Sequence, residues 1–209
     1  MEVGFHVFPS GKKYTYIIDE HGHKVFLRNA LFLSKVNDPR HIVVVREWGA
    51  SSNTSVWEPP KGQMEWKELE IAGIRAGQKV KPSTLMKQMR LGIQREMVEE
   101  AKILPEDVHD LKPLPIVYKQ AWPESKIPDA HFMYQFWSGH ITNAALKAAQ
   151  EDMAKLVANP DLKHALLHDF TEKDAVDWWS PSRGWDRIRG AFSKKMTILY
   201  YAFLKKYGV

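Results

Sequence analysis

Two kinds of apolar pattern alternate along the chain. Residues 24–34 (KVFLRNALFLS) and 41–48 (HIVVVREW) are continuous or alternating apolar runs, with the turn formers Asn37, Asp38 and Pro39 between them. They predict two strands joined by a short connection. A polar loop follows at 49–55, and Pro59 and Pro60, unsuited to a central ladder, turn the chain. From Pro82 the period changes. Leu85, Met86, Met89, Ile93 and Met97 recur at spacings of three and four, which predicts an amphipathic helix to about Ala101, N-capped by Ser83. Residues 111–122 and 130–141 are aromatic and β-branched and read as strands around the loop 123–129. Residues 142–158 are helical by propensity and stop at Asn159-Pro160. Residues 175–179 return to strand, and 182–206, behind Ser180-Pro181, read as a closing basic helix whose Phe192, Ile198 and Leu199 face the sheet. This order predicts an α/β (α+β) fold, a mixed sheet packed between helices, as one domain spanning residues 1–209.

Composition narrows the chemistry. The chain has no cysteine, which excludes disulfides, thiolate catalysis and cysteine zinc sites and leans towards the cell interior. The N-terminus lacks the apolar core of a secretory signal, and no run of ~18 apolar residues is present, so a soluble intracellular protein with no membrane helix is expected. A net charge of +5 and a pI near 9.2 favour polyanionic partners such as nucleotides or RNA, and serve solubility equally well.

The segment QREMVEEAKI, residues 94–103, carries the sharpest signal. On a helix, Glu96, Glu99 and Glu100 share one face within a turn, and like charges that close repel. Arg95 reaches Glu99 at i+4 and orients it. Hard carboxylate oxygens suit Mg²⁺ or Mn²⁺, although an isolated E-x-x-E-E also serves as a solvated helix face. Upstream lies the turn WEPPKG, residues 57–62. Gly62, Glu68 six residues later, and Arg95, Glu96, Met97, Glu99, Glu100 and Ile103 together resemble the Nudix box. Two departures stand out. Lys102 replaces the usual glycine, and 26 residues (69–94) separate Glu68 from Arg95 where the family pattern has seven. An insertion at about 69–94 is therefore expected inside the box, with Glu65 and Glu70 as alternatives to Glu68, and a second insertion at about 141–170.

The resemblance implies a Nudix-like α/β/α sandwich with inserted helices and a C-terminal helix. It implies a pyrophosphohydrolase that binds Mg²⁺ or Mn²⁺ through Glu96, Glu99 and Glu100, helped by the Gly62 carbonyl, with Arg95 orienting Glu99. The metal activates water against a P–O–P bond. For the general base, the spacing of Glu172 ahead of Trp178 resembles mRNA-decapping members; Asp174, Glu124 and a glutamate of the box itself compete. Lys61 is placed to contact phosphate. Of eight tryptophans, Trp57, Trp66, Trp122 and Trp137 flank the expected site, with Trp57 and Trp122 as candidates to stack a base. Trp178 and Trp179 adjoin on a strand, so at most one is expected in the core. On the closing helix, Arg183, Arg187 and Lys194 are expected on one face, with Lys195 beside them, to track an RNA backbone. The expected substrate is a nucleoside diphosphate-linked compound, best a capped or 5′-phosphorylated RNA end. Dinucleoside polyphosphates and diphosphoinositol polyphosphates are the rivals, and a non-catalytic Nudix RNA- or nucleotide-binding module is the alternative class.

Overall fold

The computed structural model describes residues 1–50, 55–159, 161 and 168–208, and not the side chains of 124, 168 and 169. Nine strands and four α-helices occur among the described residues, the α+β content that the apolar pattern predicts. Contacts divide the chain into two units: residues 1–30, 61–94 and 117–136, and residues 31–60, 95–116 and 137–209.

In the first unit, β1 (Val3–Val7), β2 (Lys13–Ile18) and the start of β3 (Lys24–Lys35) pair antiparallel, with Phe5 opposite Thr15 and Tyr16 opposite Phe26. The sequence reading assigns no strand before residue 24. Lysines, histidines and turn residues break up the apolar alternation there, and rings supply the cohesion instead. Phe8 lies 5.2 Å from Tyr14 and 5.9 Å from Phe26, edge to face. On its other side β3 takes β6 (Lys61–Gln63), with Asn29 opposite Gly62.

The expected 69–94 insertion resolves into three pieces. Its start completes α1 (Trp66–Ile71), which buries Trp66, Glu68 and Leu69. Residues 72–81 then run beside β1: Val3 N–H donates to the Gln78 carbonyl, and Gly77 and Val80 donate back to Val3 and Met1. Residues 82–94 are the first turns of α2 (Pro82–Ala101), the helix that later carries Arg95. The helix begins at Pro82 rather than behind a Ser83 cap, because proline's fixed φ and missing N–H suit the first helical position.

In the second unit, the end of β3 and β4 (Asp38–Glu47) form a hairpin through Val36 and Asn37, with Asn37 at φ 63°. Pro39 and Arg40, expected in the connection, belong to β4, and the ladder shifts register between Ser34 and Lys35. β4 pairs antiparallel with β5 (Trp57–Glu58) and with β9 (Lys173–Trp179), placing Val45 opposite Glu58 and opposite Val176. Trp57 also makes a parallel bridge to Ile188. Ile42, Val43, Val44 and Val45 are all buried, as their unbroken apolar run requires. Trp179 is buried and Trp178 half-buried, as neighbours on a strand must be. Of the remaining strands, β7 (His109–Ala121) and β8 (His131–Ile141), the portions 109–116 and 137–141 belong here.

α3 (Asn143–Ala158) packs on β9 and begins where expected, with the Thr142 hydroxyl accepting from the Ala145 N–H. Residues 160 and 162–167 of the second expected insertion lie outside the described residues. The closing helix is shorter than expected. Residues 181–183 and 185–187 form separate 3₁₀ turns around Gly184, at φ 94°, and α4 runs Gly190–Tyr207. Its buried face is Ser193, Met196, Thr197, Tyr200 and Leu204, set by Tyr200 stacking on Phe32 at 4.4 Å. Phe192 and Ile198, expected inward, are therefore 40% and 49% exposed. Among the described residues no helix is long and apolar enough to cross a membrane.

Candidate active site

The last turns of α2 turn Met97 and Ala101 into the core, and the adjacent helical positions carry Glu99 and Glu100 inward to 7% and 4% exposure. Buried carboxylates need counter-charges. Arg95 supplies one, with its guanidinium 2.9 Å from Glu96 Oε1 and 2.5 Å from Glu99 Oε2. The sequence reading gave Arg95 only Glu99; the planar guanidinium holds both. Burial pushes the Glu96 carboxyl well above the usual range. Arg95 opposes the shift, and the nearby Glu100 and Glu99 add to it.

The second counter-charge was not foreseen. Lys173, the first residue of β9, is 5% exposed, and its Nζ lies 2.7 Å from Glu58 Oε1 and 3.1 Å from Glu100 Oε1. Burial disfavours its charge, but Glu100 and Glu58 outweigh burial and hold the ammonium above the ordinary lysine range. Glu58 also accepts from the Ser193 hydroxyl at 3.1 Å and lies 3.9 Å from Arg189, which itself pairs with Glu47 at 2.6 Å. Within the two-residue strand β5, Glu58 is the buried neighbour of the half-buried Trp57.

Lys102, in the place of the family's glycine, ends α2 at φ 57°. Its N–H donates to the Val98 carbonyl, and its Nζ donates to the carbonyls of Glu99 and Phe170 at 2.5 and 2.7 Å. A left-handed residue at the helix end is here a lysine whose side chain caps the helix carbonyl of Glu99. Burial lowers its ammonium to about 8, against the pull of Glu99 and Glu100.

The remaining expected residues separate by unit. In the first, Lys61 and Gly62 lie in β6. Of the three acidic candidates there, Glu65 pairs with Lys67 and Lys12, and Glu70 with Lys13, while Glu68 is buried with Oε1 facing Gly92 of α2. Trp66 is core. Trp122 is half-buried, stacked on Phe8 at 5.9 Å, with the Arg28 guanidinium 4.8 Å from its ring centre. In the second unit, Glu172 is half-buried just before Lys173, and its carbonyl accepts from Trp48 N–H. Asp174 holds Arg46 Nε at 2.7 Å and the Gly49 N–H at 2.9 Å, a structural commitment that weakens it as a base. The Glu124 side chain lies outside the described residues. Trp57 is half-buried under Arg46, and Trp137 is core. Arg183 pairs with Asp177 at 2.7 Å, and Arg187 is exposed. Both precede α4, so they share no helical face with Lys194, and Lys194 and Lys195 alone of that set lie on the helix.

Among the described residues no three acidic or histidine side chains converge as a ready ligand set for a metal ion. The donor chemistry nevertheless fits a hard divalent cation. Glu96, Glu99 and Glu100 follow one another at one helix end, and their hard carboxylate oxygens are the donor type such an ion takes. In this arrangement Arg95 and Lys173 hold the carboxylates by ion pairs.

No protein-family model and no curated protein matches the sequence. Solved structures similar to it include a NUDIX hydrolase from Nitrosomonas europaea, with 15% identity, 86% of this chain and 90% of that one covered, and a TM-score of 0.44. The NUDIX domain of Shewanella oneidensis NrtR, complexed with ADP ribose, shares 10% identity over 89% and 93% of the two chains, with a TM-score of 0.48. A C. elegans Ap4A hydrolase shares 16% identity over 86% and 98%, with a TM-score of 0.41. Likeness at this level concerns the arrangement of elements and says nothing of activity.

Proposed function

We propose that the chain is a divalent-metal-dependent pyrophosphohydrolase of the Nudix kind, cutting a P–O–P bond in a nucleoside diphosphate-linked substrate. The observation that carries this reading is the concentration of Glu96, Glu99 and Glu100 at one end of α2, braced by Arg95. Glu96, Glu99 and Glu100 are the residues that would hold Mg²⁺ or Mn²⁺. Such an ion, when bound, withdraws charge from phosphate oxygens and lowers the pKa of a water. The protein's own part is positional. Arg95 orients Glu99 and fixes its rotamer through a short ion pair. Glu172, at the mouth of β9 and next to the Lys173 that grips Glu100, is assigned the proton from the attacking water. Trp57, in the same unit as the glutamates, offers a ring face for a base. Within this reading the substrate is a capped or 5′-phosphorylated RNA end, with dinucleoside and diphosphoinositol polyphosphates as rivals.

A second reading, a non-catalytic nucleotide-binding module, draws on one specific observation: each box glutamate already has a protein cation beside it. Product release from cap-labelled RNA, triphosphorylated RNA, diadenosine tetraphosphate and a diphosphoinositol polyphosphate separates the two. Each runs with Mg²⁺, Mn²⁺ or chelator. Metal-dependent turnover of one substrate is expected, falling ~100-fold or more in Glu99→Gln with circular dichroism unchanged. Silence on every substrate, with nucleotide still bound, selects the module.

A further inference from the structure

We infer that Lys173 is a built-in counter-ion standing where a second divalent cation would otherwise lie, so that the acidic end of α2 takes a single metal ion. The inference rests on the reading of Glu96, Glu99 and Glu100 as metal ligands and specifies the ion count of that same site.

Three features of Lys173 point this way. Its position is that of a bridging cation: Nζ lies 2.7 Å from Glu58 on β5 and 3.1 Å from Glu100 on α2, almost out of contact with solvent. Ions of two-metal sites sit ~3.5–4 Å apart and bridge carboxylates in the same way. Its chemistry suits the substitution, since an ammonium is a compact point charge with three donors that turn to meet oxygens from different elements. Finally, the local charges match. Glu58 and Glu100 together carry the negative charge that one divalent ion would neutralise. Lysine supplies half of the opposing charge, and Glu58 draws further support from Ser193 at 3.1 Å and Arg189 at 3.9 Å. Stability alone gives little reason for the arrangement, because buried ion pairs are commonly replaceable by apolar side chains without loss. With Glu100 Oε1 held by Lys173, the single ion shares Glu100 with that ammonium and takes Glu96 and Glu99 besides, where Arg95 is the cation to be displaced or shared.

The test needs no substrate. Bound Mn²⁺ is counted by electron paramagnetic resonance, and thermal unfolding is followed with and without Mn²⁺, for wild type, Lys173→Ala and Lys173→Ala/Glu58→Gln. About one Mn²⁺ per chain is expected for wild type, about two for Lys173→Ala, and about one again once Glu58 is neutralised. Lys173→Ala should lose thermal stability without metal and regain it with Mn²⁺; if it is unfolded as purified, refolding in Mn²⁺ should recover it. An unchanged Mn²⁺ count in Lys173→Ala with no metal-dependent rescue overturns the inference, as does a wild-type count of about two. A wild type that binds no Mn²⁺ refutes the metal reading of the glutamates instead. Lys173→Ala then still decides its own case, by gaining an Mn²⁺ site that wild type lacks or by gaining none.

Discussion

At the scale of single residues, Lys102 shows how a departure from a family pattern is absorbed. A left-handed residue at a helix end is normally glycine, because a Cβ there costs about 1–2 kcal/mol. Lys102 adopts φ 57° nonetheless and returns two hydrogen bonds through its ammonium, to the carbonyls of Glu99 and Phe170. Separate substitutions take the two effects apart. Lys102→Met keeps the strain and the stem but loses both bonds, and should destabilise by about 1–2 kcal/mol in urea. Lys102→Gly loses the bonds and relieves the strain, and should be the more stable of the two by about 1 kcal/mol. Equal stabilities would mean that the conformation carries no strain. The same scale sets the limit of what could be read in advance. Arg95 and its glutamates lie within one turn of helix, so their pairing follows from spacing. Lys173 and Glu58 are separated by 115 residues and meet only because β4 takes β5 and β9 as partners. Nothing in the local pattern joins them.

At the scale of elements, period was legible wherever one face of an element is buried, and capping chemistry fixed its ends. α3 begins at the residue after Thr142 because that side chain takes an otherwise orphaned N–H. Thr142→Ala should cost about 1 kcal/mol, and Thr142→Ser should recover most of it; a neutral alanine would show that the cap contributes nothing. The start and the inward face of α4 differ from the expectation for the complementary reason. Basic and apolar residues continue through 182–189, but Gly184 at φ 94° breaks the turn, and α4 is then phased by Tyr200 against Phe32. β1 and β2 escaped notice because ring contacts rather than strict alternation hold them. In β8, Gly139 lets a neighbouring backbone approach. A Cβ there would lie 2.8 Å from Val108 Cγ1 and 3.2 Å from both the His109 carbonyl oxygen and Leu33 Cδ2. Gly139→Ala is expected to cost about 1–3 kcal/mol, since a β-branched valine and a carbonyl oxygen have little room to yield. A denaturation midpoint equal to wild type would show that the strand shifts freely.

At the scale of the whole molecule, the excess of five positive charges favours polyanionic partners and serves solubility equally well. Of the expected stripe Arg183 is held in an ion pair, and several basic residues outside the stripe are held likewise. Arg183 is paired with Asp177, Arg189 with Glu47, and Arg95 and Lys173 serve buried carboxylates. α4 carries Lys194 and Lys195 near its start and Lys205 and Lys206 in its last turn. A short dinucleotide reaches only the few charges beside the cleaved bond, whereas an RNA chain extends over several Debye lengths and gathers distant ones. Charge reversal at Lys194 and Lys195 therefore discriminates between the proposed substrates. For an RNA 5′ end, the double Glu variant should raise KM and flatten the dependence of log kcat/KM on log salt by roughly 0.7 for each phosphate contact removed. Diadenosine tetraphosphate should be cleaved with unchanged KM and kcat, because neither lysine belongs to the glutamate cluster. A loss of equal size for both substrates would trace the effect to the fold or the active site. No loss for either would leave the positive charge to solubility and move the substrate from RNA to small nucleotides.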